Sequence, residues 1–103
     1  MQISFTFRHM DSNDGMKEYA RQKLMKIRKY MDGPGEAHVV LSVEKFRNIA
    51  EVTIRGEGVS INGEERSDDM YSAIDNVMDK LGRQIKKRRG KIRRHKSGQV
   101  AES

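Results

Sequence analysis

The sequence predicts a two-layer α/β sandwich of order β-α-β-β-β-α, an α+β domain with a four-stranded sheet and both helices packed on one face. Three observations carry this. Four segments alternate apolar and polar residues with the period of two that marks a half-buried strand. Two others repeat apolar residues every three or four positions, as an amphipathic helix does. A chain of 103 residues, 35% hydrophobic, without Trp and with only three Tyr and three Phe, has room for one domain and a small, mostly aliphatic core.

In the first predicted strand Ile3, Phe5 and Phe7 alternate with Gln2, Ser4, Thr6 and Arg8. Asp11, Ser12, Asn13 and Asp14 then offer N-caps to a helix whose inward stripe is Met16, Tyr19, Ala20, Leu24, Ile27, Tyr30 and Met31. Asp32-Gly33-Pro34-Gly35 stops it, because proline cannot extend the hydrogen-bond ladder. Val39, Leu41 and Val43 define the second strand and Ala50, Val52 and Ile54 the third, with Phe46-Arg47-Asn48 read as their connection. Val59 and Ile61 predict a short fourth strand ended by Asn62-Gly63. The second helix is predicted over 67–95, capped by Ser67 or Asp68, with Met70, Ile74, Val77, Met78, Leu81 and Ile85 facing inward. Arg88 and Arg89 interrupt that stripe, so its last turns should project beyond the core. Residues 96–103 read as a flexible tail or the start of a linker, leaving 1–95 as the domain.

Charge distribution says more than the net value of +6. Residues 16–31 carry +5, residues 32–79 carry −7, and residues 80–96 carry +10. The expected molecule is polarised, with a basic helical layer and an acidic sheet side, and its natural partner is a polyanion. Between Lys80 and Lys96 stand ten Lys or Arg in 17 residues with no acid, whereas a merely solvated helix face alternates signs. At 100° per residue Lys80, Arg83, Lys86, Lys87 and Lys91 fall opposite the apolar stripe. In the first helix Lys23 lies at an angle between Tyr19 and Tyr30. Its stem either covers the core edge or carries its ammonium toward the groove between the helices. Backbone and shape recognition of folded RNA fits two basic helices better than base stacking, since only Phe46 and Tyr71 are expected to be exposed.

Catalysis finds no foothold. His9, His38 and His95 are scattered, the acids Glu64, Glu65, Asp68 and Asp69 suit helix capping, and RGEG and DGPG lack the context of a phosphate loop. Asp75 and Asp79 read as local partners of Lys80 or Arg83. No catalytic residue, metal or cofactor is expected. Zero Cys and no apolar run of membrane-spanning length point to a soluble, cytoplasmic protein.

Asp69-Met70-Tyr71-Ser72-Ala73-Ile74-Asp75 looks like a DMYxAID signature, and the stretch from Asp79 to Lys87 is similar to DKLxRQLxKH. With the opening MQIS, the Tyr19-x3-Lys23-Leu24-x-Lys26-Ile27 pattern and HVVLSVEK at 38–45, the chain resembles the bacterial ribosome hibernation promoting factor and ribosome-associated inhibitor family, also called sigma-54 modulation proteins. The resemblance runs from Met1 to about His95. It implies a translation inhibitor that occupies the messenger and transfer RNA channel of the small ribosomal subunit and stabilises hibernating ribosomes. By position, Lys23, Lys26, Lys80, Arg83, Lys86 and Lys87, extended by Arg88 and Lys91, would contact ribosomal RNA. Where the family commonly reads KHKxKxKxH this chain has KKRRGKIRRH, with Arg88 in the place of His and Gly90 weakening the helix. Long members carry a C-terminal dimerising domain, so ribosome dimerisation is implied if this chain belongs to a long form. The alternatives are a general double-stranded-RNA binder and a protein-interaction regulator of transcription using the acidic middle segment.

Overall fold

A computed structural model describes the backbone of residues 1–102 and the side chains of residues 1–88. Its elements are β1 (Gln2–Arg8), α1 (Asp14–Arg28), β2 (Gly35–Glu44), β3 (Arg47–Gly56), β4 (Val59–Ser67) and α2 (Met70–Glu102). Strand order in the sheet is β1-β2-β3-β4, with β1 parallel to β2 and the two hairpins antiparallel. The predicted α+β architecture is the observed one.

Register decides what faces the helices. Val39 pairs with Val52, Ala37 with Ile54 and Leu41 with Ala50, so their side chains share one face, all buried. Against it pack Ala20, Leu24 and Ile27 of α1 and Met70, Ala73, Ile74, Val77, Met78, Leu81 and Ile85 of α2. α2 lies over β3 and β4, with α1 alongside it. Each fully buried Leu, Ile or Val here contributes about 1.5–3 kcal/mol of transfer free energy. Phe5 and Phe7 are only half-buried. Lys17 and Arg21 of α1 lie over their rings, with Arg21 5.5 Å from the Phe5 centroid.

Several expectations are corrected. β4 does not stop at Asn62-Gly63; both pair in mid-strand, with Thr53 and Val52. Gly63 occupies an inward position where a Cβ would stand 3.1 Å from Leu81 Cδ2 and 3.3 Å from Val77 Cγ2, so close helix packing rather than a turn explains this glycine. The β2–β3 connection is the pair Lys45-Phe46, because Arg47 and Asn48 already pair with Glu44 and Val43. The α2 cap is Asp69, whose carboxylate accepts from Ser72 N at 3.0 Å, rather than Ser67 or Asp68. Tyr30 is exposed rather than inward. α2 continues past 95 to Glu102. The tail assigned to 96–103 lies outside the residues whose side chains are described.

The sheet's open face is not acidic. By register it presents Glu36, Glu44, Glu51 and Glu64 together with Arg8, Arg47, Arg55 and Arg66, a balanced set. The negative count of the middle segment comes instead from Asp75 and Asp79 on α2 and from acids at turns and the β4 end, including Glu57, Glu65, Asp68 and Asp69.

Candidate nucleic-acid interface

Local chemistry fixes where each helix begins. Asn13 Oδ1 accepts from Met16 N at 2.9 Å and starts α1; at α2, Asn48 Nδ2 donates to the Asp68 carbonyl at 3.0 Å, tying the cap region to β3. Asp69 Oδ2 satisfies the Ser72 N–H, a donor that a helix start leaves unpaired, while the backbone O of Asp69 accepts the first intrahelical bond, from Ala73 N at 3.0 Å.

Between the two helices runs a groove lined by Lys23, Lys26 and Lys29 of α1 and its C-terminal turn and by Arg83 and Lys86 of α2. Gly82 forms part of its wall. A Cβ at Gly82 would meet Ile27 Cγ1 at 3.6 Å, an ordinary contact, so the helices already approach to within one methyl of each other. Lys86 Nζ lies 4.9 Å from the Tyr30 ring centroid, a cation–π distance that holds the ammonium at the groove mouth. Arg83 Nε donates to the carbonyl of Asp79 at 3.3 Å, one turn back. Lys26 and Lys29 have no ion-pair or hydrogen-bond partner among the described residues.

Lys23 is different. Its ammonium stands 3.2 Å from Asp75 Oδ1 and 5.5 Å from the Tyr19 ring centroid, while Tyr19 Oη donates to the same carboxylate oxygen at 2.6 Å. Tyr19 also meets Tyr71 edge to face, with ring centroids 5.1 Å apart. The hydrogen bond from Tyr19, reinforced by Lys23 and opposed by partial burial, holds the Asp75 carboxyl below its ordinary value. The bond to Asp75 likewise raises the Tyr19 phenol, and Lys23 is raised chiefly by its own bond to that carboxylate. These three groups form a clasp between α1 and α2. Asp75 therefore reaches across to α1 instead of supporting Lys80 or Arg83, and both readings of Lys23 hold, since it covers Tyr19 and lines the groove.

Of the eight expected residues, Lys23, Lys26, Arg83 and Lys86 converge on the groove. Lys80 turns toward the sheet, with Nζ 3.3 Å from Glu65 of β4, and Arg88 donates to the Gly58 carbonyl in the β3–β4 turn. Lys87 is exposed outside the groove lining. Lys91 lies outside the residues whose side chains are described. Lys29, Tyr30 and the acid Asp79 are the polar or aromatic groove residues missing from the expected set; the spacing of three from Lys26 to Lys29 was the available signal for the first.

No three His, Asp or Glu side chains come together as a metal site among the described residues. His38 Nδ1 lies 2.7 Å from Ser4 Oγ, and its Nε2 lies 3.1 Å from Thr6 Oγ1, on the sheet's open face. No helix among the described residues is long and apolar enough to cross a membrane.

A four-stranded sheet backing two helices whose facing sides concentrate positive charge defines a small α/β domain of binding rather than catalytic type. Residues 3–93 match the family described as Sigma 54 modulation protein / S30EA ribosomal protein, and the chain belongs to that family. The ribosome hibernation promoting factor of Escherichia coli is 33% identical over 95 residues, spanning 92% of this chain and all of that one. The protein of the same name from Azotobacter vinelandii is 29% identical over 99 residues, spanning 96% and 92%. Among solved structures, the Thermus thermophilus Protein Y N-terminal domain superimposes with a TM-score of 0.80 at 33% identity, covering 84% of this chain and 98% of that one. A ribosomal subunit interface protein from Coxiella burnetii gives 0.77 at 28% identity, covering 87% and 99%. The family is one of ribosome hibernation factors, and the chain is not an enzyme.

Proposed function

We propose that the chain binds the small ribosomal subunit through the α1–α2 groove, occupies the channel used by messenger and transfer RNA, and stabilises idle ribosomes. Residues 1–95 are the binding unit, acting in the cytoplasm without a cofactor. The observation that carries this reading is the convergence of Lys23, Lys26, Arg83 and Lys86, from two helices, on one groove. The groove lining carries five cations against one acid, Asp79, and RNA phosphates would balance that excess of positive charge. Phosphate contact also suits the donors present, which are flexible ammonium groups and one guanidinium rather than stacked aromatics. The relatives named ribosome hibernation promoting factor and ribosomal subunit interface protein support the ribosome as target. Lys80 and Arg88 extend the basic surface at its edge once RNA phosphates compete with Glu65 and the Gly58 carbonyl.

The test is sedimentation with purified ribosomes on sucrose gradients. Wild type should travel with small subunits and arrest translation, whereas Lys26→Glu/Arg83→Glu/Lys86→Glu should stay at the top of the gradient with an unchanged circular dichroism spectrum. Retained binding by the triple variant places the contact elsewhere. Equal competition by plain duplex RNA would indicate a general RNA binder instead.

A further inference from the structure

Phe46 is 96% exposed, by far the barest large apolar side chain among the described residues. It stands with Lys45 in the two-residue turn between β2 and β3, and both have positive φ, 44° at Lys45 and 68° at Phe46. Such a turn is ordinarily filled by Asn-Gly, because bulky side chains resist the left-handed region. Among the described residues the other non-glycine residue of positive φ is His9, at 58°. The parallel pairing of Arg8 with Ser42 brings His9 to the same end of the sheet. Strain of this kind concentrates where a backbone is held for a purpose other than its own stability.

Beside the turn lies a hollow lined by His9, Glu44, Lys45, Arg47 and Arg66. Lys45 has no ion-pair or hydrogen-bond partner among the described residues. Arg47 reaches Asp68 and Arg66 reaches Glu64 only at 3.5 Å, with the arginine side chains 59% and 57% exposed. Pairs so exposed are weak and yield to a better anion. A free aromatic face in the turn beside a hollow that carries three cations against one acid, Glu44, matches a nucleotide, whose base stacks and whose phosphate takes the charge.

We propose that the β2–β3 turn is a second binding site, for an unpaired nucleotide of single-stranded RNA, with the base on the Phe46 ring and the phosphate among Lys45, Arg47 and Arg66. It is distinct from the helical groove. Arg88 reaches the β3–β4 turn at the opposite end of the sheet, and the ten residues of β2 separate the two ends by about 30 Å. One molecule would thus hold RNA at two separated points, which raises overall affinity and fixes its orientation.

The chain has no Trp, so Phe46→Trp installs a sole Trp, which red-edge excitation reads apart from the three Tyr. Titrating this variant with a six-nucleotide oligouridine should quench its emission through stacking, and Phe46→Leu should weaken binding of the same labelled oligonucleotide by about tenfold. Lys45→Ala and Arg66→Ala should each weaken it further at low salt. An unquenched Trp, or equal binding by wild type and Phe46→Leu, overturns the proposal. Loss of ribosome binding in Phe46→Leu with oligonucleotide binding unchanged also overturns it and assigns the tip to a protein surface. Because the groove triple variant keeps the turn intact, quenching in that background separates this site from the groove reading.

Discussion

Two glycines facing the helical layer should respond to the same substitution with opposite sign. At Gly63 an added methyl would meet Leu81 Cδ2 at 3.1 Å and Val77 Cγ2 at 3.3 Å, both fully buried side chains with no solvent to move into. Overpacking of a filled core costs about 1–3 kcal/mol, and reduced freedom of the unfolded chain returns about 0.4–1 kcal/mol. Gly63→Ala should therefore destabilise by about 1–2 kcal/mol. At Gly82 the nearest atoms are Ile27 Cγ1 at 3.6 Å and Cδ1 at 3.9 Å, ordinary contacts. There the helix-propensity gain of about 1 kcal/mol is unopposed. The two variants should thus differ by about 2–3 kcal/mol, or about 8–12 °C in Tm at roughly 4 °C per kcal/mol for a domain of this size. Thermal and urea unfolding followed by circular dichroism read this directly. A Gly82→Ala protein less stable than wild type, or a Gly63→Ala protein as stable, would refute the packing of α2 against α1 and β4 described above.

The interhelical clasp carries a pH signature. Asp75 is held below the ordinary carboxylate value of 3.8, so its contribution is complete above that pH and is lost as pH falls below it. Tyr19 and Lys23 are raised from 10.0 and 10.5, so theirs is complete below pH 10 and is lost as pH climbs beyond those values. Asp75→Asn should cost about 1 kcal/mol at pH 7 in urea unfolding, with the gap from wild type closing below pH 4. Lys45→Asn/Phe46→Gly should raise the unfolding free energy in urea by about 1 kcal/mol or more, by relieving the left-handed strain of the β2–β3 turn. Neutralising Lys26, Arg83 and Lys86 together should make log affinity for ribosomes about 2–3 units less steep against log salt, while Lys80→Ala, whose ammonium must first leave Glu65, should make it less steep by about 1 at most.

Alternation and helical period were enough to place six elements, since burial on one face is written into both patterns. What they could not supply was long-range proximity. Gly63 reads locally as a turn residue, and only the presence of Leu81 and Val77 across the layer makes it a strand residue. Asp75 is four residues from Asp79 and five from Lys80, so local pairing was the available reading; the carboxylate instead meets Tyr19 and Lys23, 56 and 52 positions away. The same holds for charge. A segment count assigns −7 to residues 32–79, yet the alternation of Glu and Arg across β2, β3 and β4 leaves the open sheet face balanced. Phe46 was legible as exposed, but its left-handed backbone depends on the register that makes Arg47 and Asn48 strand residues. At the candidate site the basic runs were evident. Which members converge was not, because a wheel angle cannot tell Lys86, beside Tyr30, from Lys80, beside Glu65.

Photo-crosslinking from single positions on isolated small subunits tests the groove assignment most directly. A benzophenone side chain at Lys26, on the groove, should crosslink to small-subunit RNA, whereas one at His38, on the sheet's open face, should give little RNA adduct. Crosslinking to RNA from His38 and not from Lys26 would reverse the proposed orientation and contradict the account.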